Sequence, residues 1–248
     1  MPIKTYLREI HKKSPNQLRA NWELSKNLNL GDVGYISNGV FELQTTLQAE
    51  GINFKVRRGQ KEKGKLDLSS EKGVHVHPKF DASGNAQVIE LNGEAVFEIE
   101  FQREKSYVFR ADGVRIDVIE NMAAVKREVI KRFEAGSWEK EYAIITEIMT
   151  ADAVSLLIAG DSGIRTVLSA KGNFDVSDLD IANADIGFQA QSNKKLSLEI
   201  LGKKGTNPLY KAMGLKVPLW FGQPKLHTRG LGDSPKEEFE FIELAEDS

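Results

Sequence analysis

Apolar and polar residues alternate with a period of two along most of this chain, with helical periodicity near the N-terminus and at 119–135. The most apolar stretch is 138–172. In Tyr142–Met149, side chains Tyr142, Ile144, Thr146 and Ile148 fall on one face of a strand, and Ala143, Ile145, Glu147 and Met149 on the other. Both faces are largely apolar, which predicts a central strand covered on both sides. Val154–Ala159 follows a short polar break at Thr150–Asp152, and Gly160-Asp-Ser-Gly163 is a turn. Ile164–Ala170 then sets Ile164, Thr166 and Leu168 against Arg165, Val167 and Ser169. Turns this short predict that the three strands pair consecutively, as an antiparallel meander.

Around this centre the pattern predicts a short helix over 4–13, with Tyr6, Leu7 and Ile10 inward and Lys4, Arg8, Lys12 and Lys13 outward. A second helix is expected from Ser14, with Pro15 at its first position, Gln17 completing a capping box, and Leu18, Trp22 and Leu28 near one face. Strands are expected at Tyr35–Phe41, Phe54–Val56, Leu66–Ser69, Val74–Val76, Tyr107–Phe109 and Val114–Val118, with a turn at Ala82–Asn85. Asn92-Gly93 between Gln87–Leu91 and Ala95–Phe101 is a hairpin signal, with Phe97, Ile99 and Phe101 inward and Glu98 and Glu100 outward. Over 119–135 the stripe Met122, Val125, Val129 and Phe133, flanked by Ile130, marks an amphipathic helix stopped by Gly136. Further strands are expected at Ile186–Ala190 and Leu196–Leu201, while Pro208 and Pro218 predict an irregular end to the sheet over 205–220. The fold class is therefore α+β: a mostly antiparallel twisted sheet with a packed amphipathic helix and a helical N-terminus. Its organisation is a single domain over 1–221, an exposed Gly/Pro linker over 222–236, and an acidic C-terminal strand over 237–248.

Charge and composition narrow the function. A net charge of −2 gives no reason to expect a nucleic-acid partner. The absence of cysteine excludes disulfides, thiolate catalysis, cysteine zinc sites and cysteine lipidation, and fits a cytoplasmic location. MPIKTYLREIHKK has no apolar leader segment, and no run approaches the roughly 20 residues of a membrane helix. A bilayer could be crossed only by strands.

Candidate chemistry is thin. Gly59-Gln-Lys-Glu-Lys-Gly64-Lys65 resembles a phosphate-binding loop, but Leu66 stands where the magnesium-binding hydroxyl belongs and a strand pattern follows. The expected state is a solvated basic loop, with Arg57, Arg58, Lys61, Lys63 and Lys65 available to anionic headgroups. His75 and His77 share a strand face without an evident third metal ligand. Ser155 and Ser162 lack a nucleophile-elbow context, and Glu98 and Glu100 are explained by strand alternation. Trp138, Trp220 and Phe221 read as packing aromatics. No enzymatic activity, cofactor or metal is expected.

Trp138-x-x-x-Tyr142-Ala-Ile-Ile-Thr-Glu147, with Asn207-Pro-Leu-Tyr210 later, resembles the central sheet of gasdermin-family pore-forming domains over about residues 90–210. The order of helix, strands, basic loop, long hairpins, helix and second hairpin set is similar too, and the length is that of the short microbial type. The resemblance implies a membrane-permeabilising effector held inactive by its C-terminal tail and released by an activating protease. Such an effector moves from cytoplasm to an acidic lipid membrane and forms a homo-oligomer there. On this reading Lys4, Arg8, Lys12, Lys13 and the loop cations contact lipid, and Phe239, Phe241, Ile242 and Leu244 belong to the inhibitory tail. The chain departs from bacterial members in lacking an N-terminal cysteine to acylate. The alternatives are a soluble β-rich binding or scaffold protein, and an enzyme of a kind the motifs do not reveal.

Overall fold

The structure is a computed structural model that describes residues 2–22, 24, 26–62, 65–70, 73–78, 90–91, 94–171, 189–190, 196–202, 204–216 and 240–243. Helix α1 (Pro2–Lys13) is followed by a single 3-10 turn (Pro15–Gln17) and β1 (Arg19–Ala20). Then come β2 (Asp32–Ser37), β3 (Val40–Thr46), β4 (Val56–Arg57), β5 (Lys65–Ser69), β6 (Val74–Pro78), β7 (Glu90–Leu91) and β8 (Glu94–Phe101). After them lie β9 (Tyr107–Asp112), β10 (Arg115–Ile119), α2 (Met122–Glu134), β11 (Ala143–Ala151), β12 (Ala153–Ala159) and β13 (Ile164–Lys171). The chain closes with β14 (Gln189–Ala190), β15 (Leu196–Gly202), β16 (Thr206–Lys216) and β17 (Glu240–Glu243). This is the expected α+β class with antiparallel sheets.

Four local expectations need correction. The second helix is only the 3-10 turn, because Asn16 and Gln17 take left-handed φ values of 54° that an α-helix does not accommodate. Ser14 does not cap it; its hydroxyl donates to Leu18 O at 2.8 Å. The single strand expected at 35–41 is a hairpin: Asn38 (φ 51°) and Gly39 (φ 79°) form the tight turn between β2 and β3. The irregular end expected at 205–220 contains the 11-residue strand β16, in which Pro208 O accepts from Asn21 N at 2.8 Å. Finally, β11, β12 and β13 do not pair with one another. β11 belongs to a sheet ordered β1-β16-β11-β10-β4, with β17 on β16 and the β2–β3 hairpin on β11. β12 belongs to a second sheet, β15-β12-β9-β5, and β13 to a third, β14-β13-β8-β6, with β7 on β8. One residue, Asp152, separates β11 from β12, so the chain has no room to reverse there.

The chain divides into two compact units. One comprises Leu28–Arg58, Asp117–Ile148 and Tyr210–Ser248. Its core gathers Val33, Leu47, Ile52, Ile119, Trp138 and Ile144 with Val125 and Val129 of α2. Met122, Ile130 and Phe133 flank this stripe half-buried. Burying each valine contributes about 1.5–3 kcal/mol. Gly34 is required where β2 meets β3, since a Cβ there would lie 1.9 Å from Glu42 O.

The other unit comprises Met1–Asn27, Gly59–Ile116 and Met149–Leu209. Here α1 lays Tyr6, Leu7 and Ile10 on a core formed by Tyr107, Phe109, Leu156 and Ile158 of β9 and β12. Tyr107 meets the Tyr6 ring edge-on, with centroids 5.3 Å apart. Val108, Leu157 and Ala159 build a separate cluster with Ile99, Phe101 and Ile164. The sheet carrying β9 and β12 is thus buried on both faces.

Candidate functional site

The second and third sheets have the same strand order, and each strand of one is next in sequence to its counterpart in the other. β5 leads to β6, β8 to β9, β12 to β13 and β14 to β15. Hydrogen bonds carry the ladder across the join. Ser70 N donates to Tyr107 O at 3.1 Å, and Gln102 N to Gly73 O at 2.9 Å. Ala159 N donates to Ser106 O at 2.9 Å, and Gly163 N to Phe101 O at 2.7 Å. The result is a four-stranded antiparallel ribbon. Hairpin I runs from β5 to β9, hairpin II from β12 to β15, and they adjoin along β8/β9 and β12/β13.

The join is a polar corner. Gln102, Arg103, Glu104, Asp161 and Ser162 are exposed there. Gly73 has no space for a side chain, since a Cβ would lie 2.1 Å from Ser106 Oγ. Beyond the corner, burial alternates. Ile99, Phe101 and Ile164 are buried, whereas His75 and Arg165 are exposed and Glu100 is half-buried. Arg165 pairs with Glu100 at 3.3 Å across the ladder. The β8–β13 register runs unbroken from Ile164↔Phe101 to Lys171↔Glu94. The sequence continues the alternation along it: Phe101, Ile99, Phe97 and Ala95 stand opposite Ile164, Thr166, Leu168 and Ala170.

At the root of the ribbon Arg110, 1% exposed, lies between Asp112 at 3.3 Å and Asp67 at 3.8 Å. Asp152 pairs with Lys61, and this hydrogen bond holds its carboxyl below the usual range. The sequence pattern singles out neither Arg110 nor Asp152, because Asp67 and Lys61 reach them from distant positions in the chain.

The expected lipid-contact cations fall in different places. Arg8 and Lys12 are exposed on α1, which also carries Lys4, while Lys13 Nζ donates to Ser69 O at 2.9 Å. Arg57 and Arg58 are exposed but belong to the unit containing α2, whereas Lys61 belongs with the ribbon and is ion-paired. Lys65 opens β5, so a strand follows the loop, contrary to a nucleotide-binding architecture. Lys63, the 82–85 turn, the 222–236 linker, Phe239 and Leu244 lie outside the described residues. In the tail, Phe241 and Ile242 belong to β17, which pairs antiparallel with β16 through Leu215↔Phe241 and Gly214↔Ile242.

Loop 59–62, Arg115 and the apolar Leu66, Ile116 and Met149 line an open cleft of about 460 Å³. No group of three metal-ligating side chains occurs among the described residues. No helix among them is long and apolar enough to cross a membrane, which does not bear on crossing by strands. Compared with known proteins, the sequence matches no family model and no curated protein.

Proposed function

We propose that this protein is a gasdermin-like, membrane-permeabilising effector whose C-terminal strand holds it inactive. The observation that carries the reading is the ribbon: two long hairpins lie side by side in one register, with apolar and polar positions alternating beyond the corner. Strands of a membrane barrel need this alternation, with one face toward lipid and one toward water. A hairpin pair satisfies its inner backbone groups, and its two outer edges would pair with further copies in a closed barrel, as passage through hydrocarbon demands. β17 supports the inhibitory role by occupying the edge of β16 at Met213–Lys216, an edge that would otherwise be open to another strand. Arg8, Lys12, Arg57 and Arg58 supply the cationic contacts for an anionic surface. Activation then consists of a protease cut in 222–236, release of β17, and assembly of copies on the membrane.

The second reading, a soluble β-rich binding or scaffold protein, is favoured by the burial of Ile99, Phe101 and Ile164 in this state. The test is dye release from vesicles rich in anionic lipid. It compares the intact chain with a chain nicked at a protease recognition sequence placed in 222–236. Release by the nicked chain alone is expected. Silence from both forms overturns the proposal in favour of the soluble reading, and equal release from both removes the inhibitory role of the tail.

A further inference from the structure

We propose that the polar face of hairpin I binds a divalent transition-metal ion, zinc being the best match, through His75 and His77 of β6 and Glu98 of β8. The inference does not depend on the membrane-permeabilising reading. It starts from two pairs that the sequence leaves unconnected. His75 and His77 share a strand face and lack an evident third ligand, while Glu98 and Glu100 share a face of another strand. The ladder joins the two pairs. β6 and β8 run antiparallel with His75 opposite Glu100 and His77 opposite Glu98.

Burial fixes which face this is. Val74 and Val76 stand opposite Phe101 and Ile99 in the same ladder. Ile99 and Phe101 are buried, with Val74 packed against their cluster. The histidines and glutamates have the other parity and so occupy the other face. There His75 is exposed and Glu100 is half-buried. Of the four, the structure describes the side chains of His75 and Glu100; His77 and Glu98 enter through their register positions.

The spacing suits a single ion. Residues two apart on a strand are separated by about 6.5 Å. Directly opposite Cβ atoms lie about 4.5–5.5 Å apart, and diagonal neighbours about 7–8 Å. Side chains of this length close those gaps with metal bonds of about 2.0–2.2 Å. Two imidazoles and one carboxylate form a donor set that zinc accepts, with water completing the tetrahedron. The choice of glutamate comes from the far side of β8. Glu100 stands opposite Arg165 of β13 and pairs with it at 3.3 Å. Glu98 stands opposite Val167, which carries no charge. Glu98 is therefore the carboxylate placed to serve a metal ion. Imidazole donors disfavour magnesium and calcium, which take oxygen ligands. A bound ion ties β6, which pairs only with β8 among the described strands, to its neighbour through side chains as well as backbone.

The absence of cysteine keeps thiolates from competing for the ion and makes the test direct. The full chain is titrated with zinc chloride in a calorimeter, and one ion per chain is expected at this site. His75→Gln, His77→Gln and Glu98→Gln should each weaken binding about tenfold or more. The double variant His11→Gln/His227→Gln should bind like the parent. Magnesium at about a hundredfold excess should not displace the zinc. A measurement on the unaltered chain guards against variants that fold poorly: zinc should slow hydrogen exchange at the β6 amides and leave the β2–β3 hairpin unchanged. No zinc binding by the parent, or no slowing at β6, overturns the site. Parental affinity in Glu98→Gln overturns the three-ligand assignment. Loss of binding in the His11/His227 variant places the ion on histidines elsewhere and overturns the proposal.

Discussion

Strands β12 and β13 are consecutive in sequence and lie in the same arm of the ribbon, yet they are held differently. In β12, Val154, Leu156 and Ile158 bury into the core under α1, and Leu157 and Ala159 bury on the opposite side. In β13, Ile164 is buried while the next residue, Arg165, is exposed. A strand packed on both faces is anchored by both. A strand covered on one face presents the other to water, and loses less when its cover is exchanged for another apolar medium. On the proposed function the root of the ribbon stays in place and the outer part exchanges its cover for lipid, with the corner at 102–106 and 160–163 dividing them.

The largest effects are expected in the root. Phe109→Ala should lower stability by about 3–5 kcal/mol, since its ring is buried beneath α1. Arg110→Ala should cost about 3–5 kcal/mol by leaving Asp67 and Asp112 facing each other without the guanidinium between them. Urea unfolding curves measure both, and a loss below about 1 kcal/mol in either would contradict a fixed root.

At the corner, Gly73→Ala should cost about 1–3 kcal/mol through its collision with Ser106 Oγ. Adding Ser106→Gly should recover part of that loss, a coupling that a double-mutant cycle reads out. Strict additivity would mean that the corner is not packed as described.

In the outer part, Arg165→Ala removes an exposed pair with Glu100 and should change stability by no more than about 1 kcal/mol. The smallest effect concerns Asp152 and Lys61. Because the carboxyl is held below its ordinary pKa of about 4, the pair contributes fully above that value. The contribution is lost as pH falls through the lowered pKa, when the carboxylate takes up a proton. Asp152→Asn should therefore lower the melting temperature slightly at neutral pH and leave it nearly unchanged below the lowered pKa, so that the acid limb of the profile is flatter. An unaltered acid limb would show that the pair carries no linkage.

Much of this division was legible in the chain itself. The stripe Val125/Val129, the burial of Tyr6, Leu7 and Ile10, and the pairing on either side of Asn92-Gly93 all follow from local periodicity. Strand existence was legible too, but partnership was not. β12 is apolar on both faces, so nothing local says whether β11, β9 or β15 lies beside it. That choice is made by residues some 45 positions away, through pairs such as Leu156↔Phe109 and Leu156↔Ile200. The Arg110 cluster was hidden for the same reason: Asp67 reaches it only across the β5–β9 ladder. The failed helix after Ser14 teaches the converse, since good capping residues do not make a helix when two adjoining residues turn left-handed.

On the proposed function the sheet beyond the corner meets lipid with one face while the root does not. An environment-sensitive fluorophore on single cysteines placed in turn at Ile99, Glu100, Phe101, Ile164, Arg165 and Asp112 tests it directly, with the nicked chain bound to anionic vesicles. Hydrocarbon-like emission that lipid-borne quenchers suppress is expected at 99, 101 and 164, and aqueous emission at 100, 165 and 112. Emission without alternation along 99–101, or aqueous emission throughout in a chain that releases dye, would contradict it.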